Sequence, residues 1–217
     1  MLDAKVKKDE VADVYRKIAP TYDLWGRLTE TKARDRCLQL AAIRDGEDVL
    51  EVAVGTGLAF EKILQLNRTG HNEGIDLTDA MLERAEQKAS RSGCKNYRLR
   101  VGDAYKLDFP DDSFDVLVNN YMFDLLPESD FPRILAEFRR VLRPGGRLAM
   151  VNMTNGEKWY NGLWQRIYRI KPALLGGCRG VSLLDHLERS GFTALHREYV
   201  SQMTFPSEVV YAETMPS

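Results

Sequence analysis

The 217-residue sequence is poor in cysteine and histidine, with three of each. Cys37, Cys94 and Cys178 are isolated, so neither a disulfide framework nor a zinc or other metal site is predicted, and a reducing cytosol is expected. The net charge of −1 argues against a dedicated nucleic-acid-binding protein, which would usually carry a strong basic excess. No apolar run approaches the roughly 20 residues that span a bilayer. Residues 1–10 are charged, unlike a secretory signal, so a soluble cytoplasmic protein is predicted.

A strand followed by a glycine turn is the most informative feature that is present. Residues 48–54 form an apolar run typical of a buried strand, and residues 58–66 have the periodicity of a helix. Between them, Gly55 and Gly57 provide the backbone freedom that a turn needs when it wraps around a ligand. A second strand ends in Asp76, where a carboxylate can hold both hydroxyls of a ribose. The turn and the acid together predict a nucleoside-bearing cofactor.

Two phosphate-binding motifs must be weighed against this turn. The dinucleotide fingerprint G-x-G-x-x-G needs a third glycine where this chain has Phe60, and the P-loop motif G-x-x-x-x-G-K-[ST] is absent. Glu51, inside the first strand, would repel a pyrophosphate but suits a cationic α-ammonium group. Adenosine joined to an amino acid, without phosphate, describes S-adenosylmethionine. An NAD or nucleotide-sugar enzyme with a degenerate loop stays open as an alternative.

Five segments, in order, resemble the class I S-adenosylmethionine-dependent methyltransferases, and the resemblance covers about residues 11–154. The segments are 51–57, 74–82, 102–104, 114–120 and 142–148. The resemblance implies an α/β enzyme with a Rossmann-like, mostly parallel seven-stranded sheet, helices on both faces and an N-terminal helical cap. By position, it implies that the cofactor is contacted by Tyr15, Tyr22, Glu51, Ala53, Gly55, Gly57, Asp76, Leu77, Met81, Gly102, Asp103, Ala104 and Asn119. For Met81, a place in the helix core is an equally good interpretation.

The order of predicted elements fits a single methyltransferase domain over residues 1–217. Strands are expected at 48–54, 71–76, 97–101, 114–120 and 146–153, and helices at 58–67, 79–91 and 130–142. Thr78 is expected to cap the second of these helices. A helix ending near residue 190 and two extended segments complete the chain. The domain divides into a helical cap (1–45), a cofactor-binding core (46–154), a substrate lid (155–180) and a C-terminal helix with edge strands (181–217).

The segment 14–23 narrows the resemblance to one branch of the family. It resembles the F-x-x-I-A-x-x-Y-D segment of a branch that includes the ubiquinone- and menaquinone-biosynthesis C-methyltransferases and lipid-headgroup methyltransferases. In that branch the N-terminal helices fold over the cofactor, which implies that Tyr22 lies near the reacting methyl group. Ala53, in place of the usual first glycine, also fits this branch.

The segment after the fourth strand departs from the quinone branch. Those enzymes carry Gly-Leu-Arg-Asn there, whereas residues 119–127 read Asn-Asn-Tyr-Met-Phe-Asp-Leu-Leu-Pro. The Asn-Pro-Pro-Tyr motif of nucleic-acid amino methyltransferases is absent as well. Asn120, Tyr121 and Asp124 are predicted, with Tyr22, to orient the acceptor or remove its proton, and Phe123 is an apolar wall candidate.

Residues 157–180 are predicted to select the substrate. Five apolar residues at helical spacing form one face of a helix between residues 160 and 168, accompanied by basic residues. This helix either packs on the core or covers an apolar or anionic substrate, with peripheral membrane contact through 157–171. Gly176 and Gly177 are candidate hinge residues.

The predicted function is transfer of a methyl group from S-adenosylmethionine to a small-molecule or lipid-like acceptor, by quinone-precursor-like C-methylation. The alternative is N-methylation of a phospholipid amine, or N-, O- or S-methylation of another small molecule. A non-catalytic, cofactor-binding partner subunit is the candidate from a different class. No nucleic acid is expected as a partner, and no histidine is assigned a catalytic role.

Overall fold

A computed structural model of the chain describes residues 26, 28–157 and 178–216. The helices there are α1 (Thr31–Ala41), α2 (Phe60–Leu66), α3 (Asp79–Ala89), α4 (Phe131–Val141) and α5 (Leu184–Arg189). The strands are β1 (Asp48–Val52), β2 (His71–Asp76), β3 (Tyr97–Val101), β4 (Phe114–Asn120), β5 (Leu142–Met153), β6 (Thr193–Gln202) and β7 (Phe205–Glu213). No helix in these ranges is both long and apolar enough to cross a membrane.

The seven strands form one sheet in the order β3-β2-β1-β4-β5-β7-β6. Strands β1 to β5 pair in parallel, and β7 pairs antiparallel with both β5 and β6. The predicted Rossmann-like, mostly parallel seven-stranded fold is therefore confirmed, including the antiparallel edge pair. The chain runs outward in opposite directions from β1 and β4, so a crevice opens where the carboxyl ends of these two neighbours separate.

Alternating side chains of the central strands build a core on each face of the sheet. On β4, Leu117 points toward α4 and α5, whereas Val116 and Val118 point toward α1, α2 and α3. This alternation follows from the two-residue repeat of a strand, and burial on both sides explains the continuous apolar runs of the sequence. The described helices cover both faces of the sheet, and none of them packs over its carboxyl edge.

Three strand predictions, 71–76, 97–101 and 114–120, match the structure at both ends. The first strand ends at Val52 rather than at residue 54, because Ala53 has a left-handed backbone (φ +60°) that turns the chain. The fifth begins at Leu142 rather than at residue 146, through an irregular pairing with Phe114. The Pro-Gly-Gly sequence bends the start of the strand without excluding Leu142 from the sheet, so turn residues alone do not mark where this strand begins.

Parts of two predicted subdomains lie outside the described residues. They are residues 1–25 and 27 of the helical cap and residues 158–177 of the lid, with its candidate hinge. The remaining part of the cap is α1, which packs against the sheet through Ala33, Cys37 and Ala41.

Candidate active site

The carboxyl edge of the sheet carries a cleft of about 890 Å³ that opens to solvent. It lies at the crevice between β1 and β4 and extends across the end of β2 to the loop after β3. Predicted cofactor residues line it together: Ala53, Gly55, Asp76, Leu77, Met81, Gly102, Asp103 and Ala104. Asn120 and Tyr121, two of the predicted catalytic residues, line its other side. Segments far apart in the sequence therefore meet at one place.

The glycine turn after β1 has a backbone that only glycine adopts without strain. Gly55 and Gly57 have φ angles of +56° and +82°. A Cβ atom on Gly57 would lie 2.8 Å from the Cα of Ala85, so a side chain there would push α3 away. Phe60, at the position of the absent third glycine, is instead buried in the core. Close packing of the turn therefore depends on Gly57 and α3.

Asp76 ties the end of β2 to this turn. One carboxylate oxygen accepts a hydrogen bond from the Gly55 N–H (2.8 Å). The other accepts from the Thr78 N–H and hydroxyl, both at 3.0 Å. Thr78 thus occupies the N-cap position of α3, but its hydroxyl does not cap the helix as predicted. Burial raises the pKa of Asp76 above its ordinary value, and the hydrogen bonds from Gly55 and Thr78 oppose that rise.

Glu51 is a buried carboxyl group with one unused oxygen. It is 1% exposed and lines a smaller cavity of about 330 Å³ that adjoins the cleft through Gly55 and Asn120. One oxygen accepts a hydrogen bond from the Asn120 side-chain amide (3.3 Å). The other has no hydrogen-bond partner among the described residues. Burial raises the pKa of Glu51 to about 8, although the bond from Asn120 and the charge on Arg34 lower it. A cationic ligand would satisfy this oxygen and favour the ionised carboxylate.

The far end of the cleft, beyond Asp76, is formed by apolar and backbone groups. Leu77 is 45% exposed at the rim, whereas Met81 is buried and still lines the cleft, so both interpretations of Met81 agree with its position. Asp103 accepts a hydrogen bond from the Tyr105 N–H (3.0 Å), which shapes the loop after β3. Leu77 and Met81 thus leave, at this end of the cleft, a space that can hold a flat apolar group.

The side of the cleft next to β4 is walled by Tyr121, Met122, Leu125 and Leu126. Tyr121 has φ +53°, a strained conformation for a non-glycine residue, and such strain is concentrated at functional sites. Its hydroxyl is hydrogen-bonded to the Ser207 hydroxyl (2.8 Å). Burial raises the pKa of Tyr121 well above its ordinary value, so the phenol stays protonated. The wall is therefore mostly apolar, and Tyr121 cannot act as a base there while its phenol is protonated.

Three predicted residues of the 119–127 segment lie behind this wall rather than on the cleft. Asp124 is fully buried and accepts a hydrogen bond from the Met153 N–H (3.0 Å), and burial raises its pKa to about 7. Asn119 is also fully buried and donates to the Val52 carbonyl (2.9 Å), joining β4 to β1. Phe123 packs in the core against Phe131. A strand-to-loop sequence does not reveal which of its polar residues turn inward, because the left-handed Tyr121 redirects the chain.

Some residues that the sequence predicts for the site lie outside the described part of the chain. Conversely, the structure places at the smaller cavity two residues that the sequence did not indicate. Tyr15, Tyr22 and the proposed membrane-contacting residues 158–171 stay predictions. The missed residues include Glu30 and Arg34, which line the smaller cavity with Glu51. The Glu-x-x-x-Arg spacing on a helix was visible in the sequence, but an exposed ion pair is its ordinary interpretation.

Comparisons with known proteins agree with this geometry. A family model described as "Methyltransferase domain" matches residues 49–146. The demethylmenaquinone methyltransferase of Listeria monocytogenes serotype 4a (strain HCC23) is 31% identical over 153 residues, which are 68% of this chain and 64% of that protein. The chain thus spans slightly less than two thirds of the length of the Listeria relatives that it matches.

A second relative and a solved structure extend the comparison. The phosphatidylethanolamine N-methyltransferase of Cereibacter sphaeroides is 37% identical over 146 residues, 66% of this chain and 68% of that protein. The crystal structure of the (4+2)-cyclase SpnF superposes with a TM-score of 0.78 at 17% identity, over 98% of this chain and 97% of that one. At that identity the likeness shows the fold alone, and a fold does not define a reaction.

Three findings lead to one conclusion: the match to the domain family, the two relatives, and the glycine turn with Glu51 and Asp76 beside the cleft. The chain belongs to the class I S-adenosylmethionine-dependent methyltransferases, whose cofactor is S-adenosylmethionine.

Proposed function

We propose that this chain binds S-adenosylmethionine and transfers its methyl group to a small, lipophilic acceptor, by C-methylation of a quinone precursor. The observation that carries the proposal is the pair of carboxyl groups, Glu51 and Asp76, on one connected cleft. The charge on Asp76 raises the pKa of Glu51, so the two are electrostatically coupled. Asp76, together with Glu51 when it is ionised, would repel a pyrophosphate, whereas a ribose and an ammonium group satisfy the two residues.

The described residues offer a partner for three parts of the cofactor: the ammonium group, the ribose and the adenine. Glu51 would hold the α-ammonium group with its unpartnered oxygen, and Asp76 would hold the ribose hydroxyls. Leu77 and Met81 would cover the adenine. When bound, the cofactor supplies an electrophilic methyl carbon on a sulfonium sulfur.

Alignment and exclusion of water are the main tasks of the protein in such a transfer. Holding a nucleophile in line at ~3–3.5 Å from the carbon can contribute roughly 7–11 kcal/mol. Met122, Leu125 and Leu126 form an apolar surface on which a hydrophobic ring or chain can lie. Asn120 lines both cavities, next to Glu51, and can orient a polar group of the acceptor with its side-chain oxygen, which has no partner within the described ranges.

The protonation state of Tyr121 limits the chemistry at this wall. A neutral phenol can donate a hydrogen bond, but it cannot accept a proton from the acceptor. Asp124, whose pKa is near neutrality, is sealed in the interior. The site therefore suits a nucleophile that is activated by its own ionisation, such as a quinol losing a hydroxyl proton to solvent.

N-methylation of a phospholipid amine is the second candidate function. It is supported by the 37% identity to the Cereibacter phosphatidylethanolamine N-methyltransferase. Residues 119–127 also lack the Gly-Leu-Arg-Asn segment of quinone C-methyltransferases. Both candidates need the apolar wall, so the reacting atom separates them.

Labelling of defined acceptors tests the two candidates directly. Purified protein is given methyl-labelled S-adenosylmethionine and vesicles that contain either demethylmenaquinol or phosphatidylethanolamine. We expect label in the quinone fraction, because the protonated Tyr121 cannot take a proton from a phospholipid ammonium group, whereas a quinol can lose its hydroxyl proton to solvent. Label confined to the phospholipid headgroup would replace the first candidate by the second, and the absence of transfer to either would indicate a non-catalytic role or another acceptor class.

The substitution Asp76→Ala removes the carboxylate that holds both the Gly55 turn and the ribose. We expect the affinity for S-adenosylhomocysteine, measured by calorimetry, to fall at least tenfold, since hydrogen bonds to charged groups contribute about 1.5–3 kcal/mol. Asp79→Ala, an exposed aspartate one turn away, is the matched control and should bind normally. Unchanged affinity in the Asp76 variant would remove this residue from the site.

Cofactor binding should release a proton from Glu51. Below pH 8 the buried carboxyl group holds a proton in the free protein, and pairing with an ammonium group expels it. Affinity should therefore rise between pH 6 and pH 8, and calorimetry at pH 7 in buffers of different ionisation enthalpy should show release of close to one proton. Glu51→Gln should abolish that release, whereas exposed Glu83→Gln should not. Equal proton release in wild type and Glu51→Gln would show that Glu51 does not meet the cation.

A further inference from the structure

The smaller cavity beside the glycine turn contains a buried group of charged side chains that ribose and adenine do not explain. Glu30 and Arg34, at the start of α1, line it together with Glu51. Arg34 is 6% exposed and Glu30 is 3% exposed, so both are withdrawn from bulk water. The cavity shares Ala53 and Gly55 with the larger cleft, and a ligand can therefore extend from one into the other.

Arg34 is held in place by one turn of helix. Its Nη2 donates to the Glu30 carboxylate at 2.9 Å, in an i, i+4 ion pair. A Cβ atom on Gly26 would lie 3.2 Å from that carboxylate and 3.4 Å from Nη2, so the bare glycine backbone covers the pair closely. Within the described ranges, Glu30 is the one hydrogen-bond partner of the guanidinium. A guanidinium has five N–H donors, so most of its donor capacity remains for a ligand.

The charges around the cavity are complementary to a zwitterion. Glu51 presents an unpartnered carboxylate oxygen, and Arg34 presents a cation close enough to lower the pKa of Glu51. A simple anion would leave the unpartnered Glu51 oxygen without a donor, and a simple cation would leave the remaining donors of Arg34 without an acceptor. An α-amino acid group carries both signs on one carbon and satisfies both residues.

We propose that Arg34, oriented by Glu30, binds the α-carboxylate of the methionine part of the cofactor, next to the ammonium group on Glu51. The proposal rests on the proposed function, since it takes S-adenosylmethionine as the ligand. Helix α1 would then take part in cofactor recognition. The planar guanidinium of Arg34 can donate two parallel hydrogen bonds to the two oxygens of one carboxylate. Glu30 acts through Arg34 and is a positioning residue.

A purely structural ion pair is the rival interpretation, because buried pairs also occur without ligands. The two interpretations differ in their dependence on the ligand. A carboxylate receptor discriminates between ligands with and without a carboxylate. A structural pair affects all ligands of the cleft alike.

Calorimetry with three ligands makes this distinction. S-adenosylhomocysteine carries both charged groups, its decarboxylated analogue keeps only the amine, and 5′-methylthioadenosine has neither. For the wild-type chain we expect S-adenosylhomocysteine to bind at least tenfold more tightly than the decarboxylated analogue. In Arg34→Gln this ratio should fall to within about twofold of unity, while the affinity for methylthioadenosine stays within twofold of the wild-type value. A ratio that Arg34→Gln leaves unchanged, or an equal loss for all three ligands, would overturn the proposal.

Further variants keep the test decisive. Arg36→Gln, two residues away on α1 in a partly exposed pair with Glu198, is the matched control and should retain the wild-type ratio. If Arg34→Gln does not fold, Arg34→Lys takes its place and should lower the ratio, because an ammonium cannot form the bidentate contact; an unchanged ratio counts against the proposal. A wild-type chain that binds none of the three ligands would refute the proposed function itself. Normal binding with a ratio independent of Arg34 would refute this inference alone.

Discussion

The hydrogen bond from the Gly55 N–H to the Asp76 carboxylate, at 2.8 Å, is the contact on which the rest of the site depends. It joins the turn after β1 to the end of β2, two neighbouring parallel strands whose carboxyl ends meet at the same edge. The second carboxylate oxygen of Asp76 accepts a hydrogen bond from the Thr78 N–H and so fixes the start of α3. The turn, the acid and the helix therefore form one unit, and displacement of any part would distort the cleft.

The cleft has two regions that differ in charge, one lined by carboxyl groups and one that is apolar. Glu51 and Asp76 are carboxyl groups whose pKa values are raised by burial, which is unfavourable until a ligand offers a cation or hydroxyl groups. On the β4 side the wall is apolar, and the protonated phenol of Tyr121 adds no charge. In the proposed function, the need to ionise Glu51 would link cofactor binding to pH, and the apolar wall would restrict the acceptor. Methyl transfer at such a site depends on placement rather than on a strong base.

Much of the fold was predictable, because turn residues in the sequence mark the ends of strands β2, β3 and β4. The position of the predicted cofactor residues was predictable as well: most of them lie at or just after the carboxyl end of a strand, and parallel strands end at one edge of the sheet. The acceptor side was not. Asp124 turns inward because the chain is left-handed at Tyr121, and no local pattern shows that conformation. Arg34 was missed because its burial depends on packing of α1 against a distant strand.

The central claim is that the glycine turn, Glu51 and Asp76 form a binding site for a nucleoside joined to an amino acid and not for a pyrophosphate. Calorimetric titration of one protein preparation with S-adenosylhomocysteine and, separately, with NAD tests it most directly. We predict saturable binding of one S-adenosylhomocysteine per chain and no measurable binding of NAD at the same concentrations. Binding of NAD together with failure to bind S-adenosylhomocysteine would contradict the account.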